Sequence, residues 1–132
     1  MKHSMTVVFL TIISFGVFPT LSQTGSQVQE PFETYSHEIS WKREKFYLDD
    51  FSIHLKQFPD TIGYIGFFVG DGDTLQKVRK RIDRAKRYLI TKRKIDEQRI
   101  VVVYAGKLDN SRTAFYLIKK NSPPPDFAYR EQ

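Results

Sequence analysis

The segment Gly70-Asp71-Gly72-Asp73 sets two carboxylates immediately ahead of a strongly basic stretch, with ten lysines and arginines between Lys77 and Lys94 and Asp83 as the only acid among them. A glycine-flanked turn between a strand and a helix is the right place for a phosphate. The residue types are wrong for one, because a dinucleotide loop needs a third glycine where Leu75 stands and two aspartates repel a phosphate. The oxygen ligands of a calcium loop do not follow either, so a turn that caps the next helix is the simpler reading. The basic stretch repels itself unless acids lie nearby, and its density points to an anion-binding surface beside the ordinary alternative of a solvated face. Lys77, Lys80 and Arg87 are its candidate surface cations.

Catalysis leaves countable residues: a nucleophile with its base, a carboxylate pair or a metal set. His37 and His54 have no metal-ligand spacing and read as surface or half-buried side chains. Tyr64, Tyr88, Tyr104 and Phe115 form no stacking platform recognisable in the sequence. The chain therefore reads as a binding protein and not an enzyme, with no catalytic residue, no metal site and no cofactor.

The elements that must position these residues follow from hydrophobic periods. Leu75, Val78, Ile82, Ala85 and Leu89 are spaced three, four, three and four, which predicts a helix over Thr74 to Lys94 with one buried stripe. Asp73 with Gln76 is the expected capping pair at its start. Leu48, Phe51, Ile53, Leu55 and Phe58 suit an earlier helix over Glu44 to Phe58, which Pro59 stops. Phe32 to Ser40, Ile62 to Val69, Arg99 to Ala105 and Thr113 to Ile118 read as strands. Gly106, Asp109, Asn110 and Ser111 between the last two predict an antiparallel hairpin. The fold class is α/β, an α+β sandwich in the order β-α-β-α-β-β, with two helices packed on a mixed four-stranded sheet.

The ends carry different signals. Lys2, an apolar run from Thr6 to Phe18, then Pro19 and the small residues Thr20 and Ser22 follow the plan of a secretory signal peptide over 1–22. The run is shorter than a bilayer span, so no transmembrane span is expected after cleavage near Ser22. Residues 23–31 read as a disordered spacer, 32–120 as the folded domain and 121–132, with Pro123, Pro124 and Pro125, as a disordered tail. No cysteine is present, so no disulfide supports the core. Removing 1–22 takes only Lys2, and the net charge of +6 becomes +5. A periplasmic or secreted basic domain meets cell-wall polymers, lipid headgroups or acidic proteins, and nucleic acid only if the export reading is wrong, so a polyanion- or nucleic-acid-binding module and a structural scaffold without a ligand stand as the alternatives.

From Gly63 to Lys119, and more faintly back to Phe32, the chain resembles the OmpA-like domain of bacterial envelope proteins. Leu48-Asp49 with Ile53 and Leu55 looks like the family's first helix. Arg84-Ala85, Tyr88-Leu89, Lys94-Ile95-Asp96 and Arg99-Ile100 resemble its second helix and the turn into the next strand. The resemblance implies an envelope domain that binds peptidoglycan without a covalent bond. An aspartate after the central strand and an arginine on the following helix would hold the two charged ends of a diaminopimelate residue. Asp71 or Asp73 matches the first role. For the second, aligning Arg84-Ala85 selects Arg84, and aligning Tyr88-Leu89 selects Arg81. A carboxylate for the ammonium group and a guanidinium fork for the carboxylate suit such a zwitterion.

Overall fold

The computed structural model describes residues 30–127. The signal peptide expected over 1–22, most of the spacer and residues 128–132 lie outside the described residues. The elements are β1 (Glu33–Ser36), α1 (Trp41–Gln57), β2 (Thr61–Val69), α2 (Leu75–Thr91), a short 3-10 turn (Glu97–Arg99), β3 (Ile100–Lys107) and β4 (Arg112–Lys119). The four strands form one mixed sheet in the order β1-β4-β2-β3. Both helices pack on the same face, giving the α+β class read from the sequence.

Helix α1 begins three residues before the predicted start because Ser40 caps it, its hydroxyl accepting from the Arg43 amide at 3.3 Å. Its buried face is Glu44, Leu48, Phe51, Ser52 and Leu55. Ile53, placed with the apolar set in the sequence, lies on the opposite face and is 59% exposed. The cap of α2 is also shifted: Thr74, not Asp73, accepts from the Lys77 amide. Val78, Ile82, Ala85 and Leu89 are buried as the stripe requires. The helix ends at Thr91, short of Lys94, where Lys94 turns to φ 58° and the Ile95 amide returns to the Leu89 carbonyl.

The predicted hairpin does not form. Strand β3 pairs in parallel with β2 alone, while β4 lies antiparallel between β2 and β1. Burial explains the choice. Ala114, Phe115, Tyr116 and Ile118 of β4 are buried on both faces, which suits an interior strand, whereas β3 exposes Val101 and Tyr104 and suits an edge. The connection from Leu108 to Ser111 has to cross the end of β2, a span of about 9.5 Å at two strand spacings. It is tied down there, since Leu108 donates to the Val69 carbonyl and Asp71 donates to the Asp109 carbonyl. Only glycine fits at position 70, where a Cβ would come within 2.3 Å of the Ser111 nitrogen.

Two apolar clusters result. Ile65, Phe67 and Val69 of β2 join the helices and Phe115 in the main core. Phe68, Ala114, Tyr116 and Ile118 form a second cluster on the far face. Residues 122–127, the described part of the segment read as a disordered tail, bring Phe127 onto that face. Within them Pro125 is buried, and Phe127 meets Tyr116 edge-on with ring centroids 5.3 Å apart. Gly66 leaves the space for the Phe127 ring, which a Cβ would enter at 2.4 Å. Phe127→Ala should therefore cost about 2 kcal/mol in urea unfolding, because a half-buried ring leaves the cluster. An unchanged midpoint would show that the segment adds nothing to the fold.

Candidate functional site

Strands β1 and β2 both run antiparallel to β4, so their C-terminal ends meet at the same end of the sheet as the start of β4 and the N-terminus of α2. A cleft of about 690 Å³ opens there. All four residues singled out as ligand candidates, Asp71, Asp73, Arg81 and Arg84, line it, together with Lys77 and Lys80. Arg87 does not, and stands on the exposed outer side of α2.

The floor is organised by a residue that sequence reasoning missed. Glu44 has no exposed surface and accepts from Tyr35 Oη at 3.0 Å, Arg81 Nη2 at 2.9 Å and Arg84 Nη2 at 3.0 Å. The two guanidiniums share one carboxylate oxygen, so the trio keeps a net positive charge. Burial and the Glu44 carboxylate together hold the Tyr35 phenol far above its ordinary range. A sequence signal existed, since Glu44 lies four residues before Leu48 on the stripe that α1 buries. A charge in a buried phase asks for a partner.

The two arginines differ in what they leave available. Arg81 is 18% exposed and also donates to the backbone carbonyls of His37 at 2.6 Å and Ile39 at 3.1 Å. It pins the β1–α1 connection to α2. Arg84 is 46% exposed, gives Glu44 one nitrogen, and lies 4.1 Å above the Trp41 ring. That stacking fixes its plane while its rim faces the cleft.

Across the cleft, Asp73 bonds to Lys77 Nζ at 2.8 Å and accepts from Ser111 Oγ at 2.6 Å. The Lys77 ammonium and the Ser111 hydroxyl hold its carboxyl below the ordinary value. Ser111 in turn accepts from the Gly70 amide at 2.8 Å, locking the turn to the β3–β4 connection. Asp71 is exposed at the rim. Thr74 and Gln76 bring the start of α2 to the cleft, with the partial positive charge of a 17-residue helix. The His37 ring bonds to Thr113 Oγ1 at 2.8 Å rather than to Ser111. Serine, histidine and aspartate thus share the cleft, with the serine bonded to the carboxylate and the histidine to Thr113.

The basic stretch finds much of the acid it needs: Glu44 for Arg81 and Arg84, Asp73 for Lys77, Glu97 for Lys86 and Asp49 for Arg93. Of the same stretch, Arg79, Lys80, Arg87, Lys92 and Lys94 are exposed and in no ion pair among the described residues. No described helix is long and apolar enough to cross a membrane. Comparison with protein-family models, curated proteins and solved structures finds no match in any of the three.

Two outcomes are expected from these contacts. Glu44→Gln should lower stability by about 3 kcal/mol, since it leaves two guanidiniums without their buried counter-charge. Urea unfolding checks this, and a loss within error of zero would mean that solvent already neutralises them. The second concerns His37, whose pKa falls from 6.5 to about 4 through burial first, then Arg81 and Lys77, with Asp73 opposing. Unfolded chains take up a proton near pH 6.5 that the folded protein refuses until about pH 4, so stability is full above 6.5 and declines between those values. His37→Gln should remove on the order of 2 kcal/mol of that decline when unfolding midpoints near neutrality and in mild acid are compared.

Proposed function

We propose that the chain is an exported, non-enzymatic envelope domain whose cleft binds peptidoglycan non-covalently through a zwitterionic amino-acid end. The observation that carries this reading is the convergence of Asp71, Asp73 and Arg84 on one cleft at the N-terminus of α2. An ammonium group needs a carboxylate with room beside it. Asp73 meets that need once the Lys77 side chain, 77% exposed and held only at its tip, swings away. A carboxylate needs a planar donor, and Arg84 presents one already oriented by Trp41. The helix start adds favourable potential for the same negative charge.

Of the two arginines that the resemblance leaves open, Arg84 is the one for the ligand, because Arg81 is committed to Glu44 and two carbonyls. The apolar run Thr6 to Phe18 behind Lys2 supports export. A second reading, a general polyanion surface, is favoured by the unpaired Arg79, Lys80 and Arg87. The two differ in their dependence on salt.

Cosedimentation of the full chain with purified sacculi at low and moderate salt tests the first reading. Binding should persist at moderate salt and fall at least tenfold in Arg84→Ala and in Asp73→Ala, both with unchanged circular dichroism. Loss of a charge-assisted pair, worth about 1.5–3 kcal/mol, corresponds to that order of change. Binding erased by salt would instead support the polyanion surface. Absence of binding would contradict both.

A further inference from the structure

The helix layer has an outward surface that the core does not use and that borders the cleft only at Lys80. On α1, Phe46 is 66% exposed and Ile53 is 59% exposed. Seven residues apart, they fall on the same side of a helix, about 10 Å from each other along its axis. That side is opposite the buried Leu48, Phe51 and Leu55. Two large apolar side chains thus project from the middle of a solvent face.

Their surroundings are cationic. Lys42 precedes Phe46 by one turn and Arg43 lies beside it, both exposed. The neighbouring helix α2 packs alongside through Trp41 and Tyr88, whose rings meet edge-on at 5.6 Å. It turns Lys80 and Arg87 outward, seven residues apart on the side away from Val78, Ile82 and Leu89. Two acids face the same way, Asp50 and Asp83, and Asp50 lies 3.6 Å from His54. Positive charge therefore prevails around the two apolar residues.

We infer that this surface docks on an anionic lipid bilayer. Phe46 and Ile53 enter the boundary between headgroups and acyl chains, while Lys42, Lys80 and Arg87 meet the lipid phosphates. Charge rules out a second copy of the same surface, which would bring like charges together. Shape separates a bilayer from an acidic protein. The two side chains stand out from the helix, 66% and 59% exposed, so a protein partner would need two matching pockets, whereas the bilayer interface is deformable. This inference is independent of the ligand of the cleft.

The single tryptophan, Trp41, lies on the same helix, one turn before Lys45, and serves as the probe. The full chain is mixed with vesicles of one part phosphatidylglycerol to two parts phosphatidylcholine, with bromine on the acyl chains, and with vesicles of phosphatidylcholine alone. Quenching of Trp41 is expected in the anionic vesicles, weakening at high salt. Phe46→Ser with Ile53→Ser, and separately Lys42→Glu with Arg87→Glu, should each weaken it at least tenfold in lipid concentration with circular dichroism unchanged. Because the N-terminal apolar run is present in every variant, equal quenching in wild type and variants would assign contact to that run and overturn the inference. Equal quenching in neutral vesicles would overturn it as well. So would binding to soluble polyglutamate without any to vesicles, which would assign the surface to an acidic protein.

Discussion

A single buried carboxylate holds the working end of this molecule together. Glu44 enters the core on the first turn of α1 with no exposed surface, and it is tolerated there because Tyr35, Arg81 and Arg84 converge on it from β1 and α2. Burying an unpaired carboxylate is prohibitive, and burying it with two guanidiniums and a phenol is not. The contact joins three elements that are distant in sequence. It also divides labour between two arginines one turn apart on α2, with Arg81 drawn inward to the backbone of His37 and Ile39 and Arg84 left at the rim.

Topology supplies the opposite wall. Because β4 inserts between β1 and β2, the connection from β3 must pass over the end of β2, and that passage lays Ser111 against Gly70 and Asp73. A hairpin between β3 and β4 would have left the turn after β2 without these contacts. The position of Asp73 thus follows from strand order, and strand order follows from the apolar character of both faces of β4. Open sheets commonly carry ligands at the C-terminal ends of their strands, where connections diverge, and the cleft occupies such an end.

The readable parts of the fold were those fixed by local period. The three-four spacing from Val78 to Leu89 defines α2 because a stripe of that kind has one physical meaning, and the order of elements follows from similar patterns. The strand order was not legible, since Asp109, Asn110 and Ser111 suit a tight hairpin and a short crossing equally. The difference lies in burial on the two faces of β4, a tertiary property. Asp71, Asp73, Arg81 and Arg84 were legible as residue types, and the cleft gathers them. Glu44 was hidden because a glutamate among Lys42, Arg43 and Lys45 looks like one more solvated charge. The packing of Phe127 was hidden behind three prolines that end regular structure without forbidding contact.

Asp73 and Arg84 then form the two poles of one proposed binding site, positive and negative sides facing a common space. The most direct measurement is a titration of the ¹⁵N-labelled protein with a stem peptide carrying diaminopimelate, followed by amide chemical shifts. The expected result is a set of shifts confined to the turn Gly70–Asp73, the first turn of α2 and Ser111, saturating with ligand and absent in Arg84→Ala. Shifts scattered over the outer faces of the helices, or none at all, would contradict it.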